Sequence, residues 1–341
     1  MIRLKPLARS AASAFLYWSG LGRLYEMALR PTGAIILMFH SIASADAAEF
    51  INPANRLTPD MFARQMAFLT AHRRVVPLSQ VADQLVAGIS PPANTVCITF
   101  DDGYLDNLTV AAPILERYRL PATLFLATGY VGRGDPQWAD SLYWMFQRRT
   151  VNKIQIPWPG VRELDLMSDA TRRAAHSALL QELLEASHEK RSWMLREIGR
   201  QLRPAGQMPR LTMNWDDVRQ LRRRYPLFEI GGHTSEHIDL RTHRGNVAQS
   251  EIEGCAEALR RELGMEPELF SFPYGRWCDE TRDMVIAAGW QSAVASGNHL
   301  RVGEGSDWYA VSRGDTPRTM TELRFVTSGA YPGTLELLGL M

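Results

Sequence analysis

The sequence predicts an α/β fold built around a parallel sheet or barrel. Short apolar runs alternate with amphipathic helical stretches, which is the rhythm of repeated βα units. The runs are nearly continuous in apolar residues rather than alternating, as expected of strands covered on both faces. The chain of 341 residues, 45% of them hydrophobic and 22% charged, has ample material for one elaborated α/β domain or two smaller ones.

The first stretch, residues 1–30, stands apart. Arg3, Lys5 and Arg9 precede the apolar run Ala11 to Trp18, which superficially resembles a signal peptide. That run is interrupted by Ser13, is followed by charges at Arg23 and Glu26, and is far too short to span a bilayer. Leu7, Ala11, Phe15, Trp18, Leu21, Tyr25 and Leu29 mostly follow helical spacing. The stretch therefore reads as an amphipathic helix packed on the main domain, residues 31–341. The alternative is a basic helix resting on an anionic membrane surface.

Ala34 to Phe39 is the first expected strand and ends at His40-Ser41. Thr58-Pro59-Asp60 then opens a helix, because Thr58 can cap, Pro59 suits the first turn and Asp60 favours the positive helix end. Phe62, Met66 and Leu69 line its buried face. Val75-Val76 and Val81 to Val86 read as a short strand and a short helix. The strand Thr95 to Phe100 follows, then a helix from about Leu108 to Tyr118 and a strand from Ala122 to Ala127. Between about Asp135 and Thr212 the rhythm breaks into a long, charged, helical stretch, read as an insertion or lid near the strand ends. It resumes with a helix Trp215 to Arg223, a strand Leu227 to Ile230, a helix Asn246 to Leu263 stopped by Gly264, and a strand Leu269 to Phe272. A helix Glu280 to Ala288, strands Gln291 to Ala295 and Tyr309 to Ser312, and a helix Met320 to Val326 complete the chain.

The charge balance limits the partners. Lys plus Arg number 38 against 37 Asp plus Glu, so no basic footprint for nucleic acid exists. Cys97, Cys255 and Cys278 form no CxxC pair, which argues against a disulfide framework or a thiolate metal site. Reduced thiols fit a cytoplasmic protein, peripheral to the inner membrane if the first helix engages lipid.

The chemistry gathers at the expected strand ends, where sites form in parallel α/β folds. Asp101 and Asp102 close the Thr95 strand just before Gly103. Neighbouring side chains on a strand point to opposite faces, so both acids reach one pocket only if the strand breaks there. Asp-Gly is also a common turn dipeptide, and the other strand ends decide between the two readings. Gly231 to His237 reads as a loop or a helical turn; His233 and His237 are four apart, and a single helical turn would put both imidazoles on one side. Two histidines and one carboxylate make a site for a divalent ion with positions left open. The other carboxylate is then spare, placed where a general base for an activated water belongs. His40, at another strand end, supplies a candidate proton donor for a leaving group.

On these residues the chain resembles the polysaccharide deacetylases of the NodB-homology type, carbohydrate esterase family 4. The resemblance runs from about Ala34 to Ala295, outside the Asp135 to Thr212 insertion. Thr99-Phe100-Asp101-Asp102-Gly103-Tyr104 is similar to the family's first motif, which implies Asp101 as base and Asp102 as metal ligand. His233-Thr234-Ser235-Glu236-His237 is similar to the second, H-[ST]-x-x-H, and implies both histidines as ligands. Phe272-Pro273-Tyr274-Gly275 is similar to the third, and implies the Tyr274 backbone amide as an oxyanion donor. Many members carry an arginine shortly before that proline to tune the base, whereas Phe270 and Ser271 stand here. The late Leu-x-His motif with the catalytic acid is also absent. Leu37-Met38-Phe39-His40-Ser41 is similar to the segment of the biofilm poly-N-acetylglucosamine deacetylases that brings this histidine near the N-terminus, so His40 is the chosen acid, ahead of His299 and His243.

The resemblance implies a distorted (β/α)7 barrel and a metal-dependent hydrolase that removes an N-acyl group from an amino sugar. The metal would be a divalent ion, Zn²⁺ first, with Co²⁺, Ni²⁺, Mn²⁺ or Fe²⁺ as alternatives. Trp277, Trp138 and Trp144 could stack on sugar rings. Three rival readings are a deformylase of a lipid-linked amino sugar, a catalytically inactive carbohydrate-binding homologue that the missing arginine favours, and a non-haem iron oxygenase. The last has no use for the adjacent Asp101.

Overall fold

Seven parallel strands form the core of the computed structural model, which describes residues 32–47, 49–158, 160–297, 301–303 and 305–328. They are β1 (Ala34–Phe39), β2 (Thr95–Phe100), β3 (Ala122–Leu126), β4 (Phe228–Gly232), β5 (Leu269–Ser271), β6 (Ser292–Ser296) and β7 (Val311–Arg313). Each pairs in parallel with the next in chain order. The end of β7 then returns to β1, where Met38 N donates to Gly314 O at 3.0 Å and Gly314 N donates to Ile36 O at 2.9 Å. The sheet is thus a nearly closed seven-stranded barrel, with Arg74–Val75 added beside β2 and an antiparallel strand Arg301–Val302 beside β1.

Sequence explains most of this. β1 and β2 are apolar on both faces and almost wholly buried. Phe39, Phe62 and Phe100 meet in edge-on and tilted contacts at 5.3–5.8 Å between ring centroids. Phe62 comes from helix Pro59–His72, whose Thr58 side chain accepts from Met61 N, as the Thr-Pro-Asp signal predicts. Helices Gly245–Leu263, Asp279–Ala287 and Met320–Thr327 fall within a residue of their predicted bounds.

The two glycines at the end of β4 have a packing reason. A Cβ on Gly231 would lie 2.5 Å from Leu269 O, and one on Gly232 would lie 2.3 Å from the Trp290 ring. No side chain fits where β4 is squeezed between its neighbours, so the histidine loop starts from a backbone with no room to shift.

The insertion sits between β3 and β4, over the carboxyl end of the barrel. It carries helices Trp138–Arg148, Asp169–Glu185 and His188–Leu202, as expected, and also a hairpin, Lys153–Ile156 paired with Arg162–Asp165, that the sequence reading missed. The hairpin alternates buried and exposed residues over only four positions, too short a pattern to separate from the helical stretch around it. Leu142, Phe146, Ile156, Leu179, Leu183 and Ile198 give the insertion a hydrophobic cluster of its own. Residues 1–31 lie outside the described ones, and so does the amphipathic helix expected there. Among the described residues no helix is long and apolar enough to cross a membrane.

Candidate metal centre and catalytic site

The parallel arrangement brings every strand's carboxyl end to one mouth, and the residues singled out from sequence meet there. Asp102 and His237 approach with Oδ1 and Nε2 3.2 Å apart, and His233 Nε2 lies 3.6 Å from the same oxygen. The two Nε2 atoms are 3.2 Å from each other. Among the described residues Asp102, His233 and His237 form the one group of ligating side chains close enough to share an ion.

Of the two local forms the sequence allows, the backbone takes the loop: residues 233–237 are irregular, with Thr234 at φ 59° and His237 at φ 49°. These left-handed residues fold the chain back on itself, so the two rings converge without helical spacing. Asp102 is likewise left-handed, at φ 74°, which breaks the strand after Asp101 and lets both carboxylates face the mouth.

Hydrogen bonds fix how the histidines present themselves. His233 Nδ1 lies 2.7 Å from the Ser271 carbonyl, which can only accept, so Nδ1 carries the proton and Nε2 is bare. Burial pushes the His233 pKa down to about 4, keeping the ring neutral. Nδ1 of His237 lies 3.0 Å from the Tyr274 hydroxyl. The Tyr274 hydroxyl donates to the His237 carbonyl and so accepts from Nδ1, which leaves two bare nitrogens facing a carboxylate oxygen that lacks a hydrogen-bond donor among the described residues, all in a buried space. Lone pairs so arranged repel unless a cation lies between them. Donors roughly 2.0–2.1 Å from a tetrahedral zinc ion stand about 3.3–3.4 Å apart, close to the spacing found here. The residues fit a divalent ion.

Asp101 is held differently. Arg313 Nη1 donates to Oδ1 at 2.8 Å and Nη2 to Oδ2 at 2.7 Å, a two-pronged pair buried on both sides. Burial alone would raise the Asp101 pKa, but Arg313, with His233 and His40, holds it below the usual carboxylate range. Its Oδ2 is 3.8 Å from His233 Nε2, at the edge of the ligand cluster. An arginine beside Asp101, missing from the positions before Pro273, is thus supplied by the end of β7. The predicted strand stopped at Ser312, one residue short, so Arg313 was passed over. An arginine at a strand's carboxyl end was the available signal.

His40 follows β1, with its carbonyl held by Asn107 Nδ2 at 2.7 Å. Its imidazole is close enough to lower the pKa of both acids, and its Nδ1 is buried with no hydrogen-bond partner among the described residues. Tyr274 also has left-handed backbone, at φ 58°, and packs edge-on against His237 with ring centroids 4.6 Å apart. His243 lies away from the cluster, its Nδ1 3.1 Å from the Asp239 carbonyl, and His299 lies outside the described residues. Trp138 corrects the stacking expectation. It is buried, and its Nε1 donates to the Tyr274 hydroxyl at 3.0 Å, so its face is not open to a sugar. Trp277 packs against Phe272, and Trp144 is half-buried on the insertion.

Known proteins share this fold. YxkH of Bacillus subtilis (strain 168), which bears the polysaccharide deacetylase name, is 31% identical over 105 residues. That match covers 30% of this chain and 35% of YxkH, so the chain spans about a third of its curated relative. The fold is shared with the Streptococcus pyogenes deacetylase PplD, at a TM-score of 0.57 and 17% identity over 87% of this chain and 98% of that one. IcaB from Ammonifex degensii gives a TM-score of 0.54 at 17% identity, covering 88% of this chain and 98% of its own. A de-N-acetylase from Aggregatibacter actinomycetemcomitans gives 0.52 at 18% identity, covering 85% and 95%. The family model described as polysaccharide deacetylase matches residues 88–293, which run from before β2 into β6 and include both acids, both histidines and Tyr274. On that match the chain belongs to the polysaccharide deacetylase family.

Proposed function

We propose that this protein is a divalent-metal-dependent hydrolase that removes an N-acyl group, acetyl first, from an amino sugar of a glycan or glycan precursor. The observation that carries the reading is the buried triangle of bare ligand atoms on Asp102, His233 and His237, with the Arg313-clamped Asp101 beside it. Asp102, His233 and His237 would hold a divalent ion, which would supply Lewis acidity to the acyl carbonyl and to the attacking water. Asp101, kept ionised by Arg313, takes the proton of that water as it attacks. The backbone N–H of Tyr274 donates to the oxygen on which negative charge develops. His40 gives a proton to the departing amine, and the acyl group leaves as a free acid. Arg313 removes the motive for the reading as an inactive binding homologue, since the base has its cationic partner after all.

PplD is described in complex with acetate, the acid that hydrolysis of an N-acetyl group would release. The test is a panel of N-acetyl and N-formyl amino sugars, oligosaccharides and lipid-linked precursors, with acid release measured with and without a chelator. Chelator-sensitive release from any of them, lost in Asp101→Asn, supports the proposal. No release from the whole panel with Zn²⁺, Co²⁺ or Ni²⁺ supplied would reject it.

A further inference from the structure

We infer that Trp138 and Tyr274 form a positioning pair through which the insertion sets the tautomer and metal affinity of His237. The inference rests on the reading of Asp102, His233 and His237 as a metal site. The Tyr274 hydroxyl has one proton and two lone pairs, and three partners surround it. Its proton goes to the His237 carbonyl, 3.3 Å away, because a carbonyl can only accept. The Trp138 Nε1–H, 3.0 Å away, can only donate. One lone pair is left for the third partner, His237 Nδ1 at 3.0 Å, which must therefore carry a proton. Nε2 of His237 is then bare, and it is this nitrogen that faces Asp102 Oδ1 at 3.2 Å. Without the indole proton the hydroxyl could rotate and donate to Nδ1, which would favour the opposite tautomer and block Nε2.

Trp138 is held in place for this role. It opens helix Trp138–Arg148 and is buried, with the Arg191 guanidinium 5.1 Å from its ring centre. Arg191 belongs to another insertion helix and its Nη1 reaches to 3.5 Å from the His237 carbonyl. The residue before Trp138 binds the other half of the ligand set, with Gln137 Nε2 donating to Asp102 O at 3.3 Å. Two residues further on, Asp140 accepts from the Tyr104 hydroxyl at 2.6 Å. Residues 137–140 thus tie the insertion to the first and third motifs, and Tyr274 and Arg191 carry the tie on to the second. An insertion whose helices only covered the barrel mouth would not need donors aimed at ligand-bearing loops.

Partners that orient a ligating histidine typically change metal affinity 10–100-fold when removed. The experiment titrates Co²⁺ into the metal-free full chain, reading its visible absorption, and measures Zn²⁺ affinity by competition with a chromophoric chelator. Tyr274→Phe is expected to weaken both ions about 10–100-fold and to alter the Co²⁺ bands. Trp138→Phe, which keeps an aromatic ring but removes the indole N–H, is expected to weaken them several-fold, and to add nothing in a Tyr274→Phe background. Circular dichroism and thermal unfolding of the metal-free variants establish that they fold. Unchanged affinity and spectrum in Tyr274→Phe, or equal effects of Trp138→Phe in both backgrounds, would overturn the inference. If Tyr274→Phe does not fold, Trp138→Phe decides alone, and unchanged affinity in it overturns the inference. A wild-type chain that binds neither ion rejects the metal-site reading itself, a different result from wild-type binding that the variants share.

Discussion

Arg313→Met separates the proposed base from its cation with little change in volume. In the native protein the guanidinium makes two contacts of 2.8 and 2.7 Å to Asp101 and both side chains are buried. Losing an adjacent cation raises a carboxyl pKa by about 1–3 units, and the burial that Arg313 offsets in the native protein then stands unopposed and holds the folded value above the unfolded one. The acid limb of kcat/KM for acid release should therefore move up by about 2 units or more, equivalent to about 3 kcal/mol. Stability changes sign with it. Asp101's depressed pKa contributes stability above its unfolded value, near 3.9, and that contribution is lost as pH falls through the folded value. In Arg313→Met the folded pKa lies above the unfolded one, so ionised Asp101 becomes a cost at neutral pH that vanishes on acidification. Removing one partner of such a buried pair costs about 3–5 kcal/mol. Urea unfolding at pH 4 and pH 7, beside pH–rate profiles of both proteins and of Arg313→Lys, measures both effects. A folded Arg313→Met protein whose acid limb overlays that of the wild type would refute Arg313 as the group that keeps Asp101 ionised.

Three further outcomes follow from the same geometry. Asp101→Asn should lower turnover about 10²–10⁴-fold, the usual share of a general base, while retaining its metal by elemental analysis; full turnover would reject the base assignment. Metal at 100 times its dissociation constant should stabilise the wild type by about 2.7 kcal/mol in thermal unfolding, and should leave His233→Ala unmoved; equal stabilisation of both would place the ion elsewhere. Gly232→Ala drives a Cβ to within 2.3 Å of Trp290 and 2.7 Å of Cys255 Sγ, so it should cost about 1–3 kcal/mol in chemical denaturation, and a neutral result would show that β4 can shift.

The barrel was legible because its strands carry their signal locally. Ala34–Phe39 and Thr95–Phe100 are buried on both faces, and such runs mark their own ends. The two acids and two histidines were legible because they lie within motifs of a few residues. Arg313 was not, since its role depends on β7 lying next to the return to β1, a neighbour relation that closure of the barrel creates and no local pattern encodes. Trp138 failed for a related reason. A tryptophan on a charged helix reads equally well as buried or exposed until its neighbour is known, and that neighbour is Tyr274, in a distant motif.

The form of the histidine loop has an energetic consequence that can be tested. Among the described residues seven non-glycine residues have positive φ, and Asp102, Thr234, His237 and Tyr274 are four of them. Left-handed backbone costs about 1–3 kcal/mol at a non-glycine residue, so strain is concentrated where the ligands converge. Thr234 is the most awkward of the four, being β-branched and fully buried with a hydroxyl that has no partner among the described residues. Thr234→Gly should relieve about 1–2 kcal/mol of strain and about 1–3 kcal/mol of unmet hydrogen bonding. Against this stand the lost methyl burial and the greater freedom of glycine in the unfolded chain, together about 1–2 kcal/mol. The metal-free variant should thus be about 2 kcal/mol more stable than the wild type, yet bind Zn²⁺ more weakly, because the loop between the two histidines is no longer confined to one conformation. If Thr234→Gly proves more than about 1 kcal/mol less stable, or binds Zn²⁺ as tightly as the wild type, then the strain is not what holds the imidazoles together.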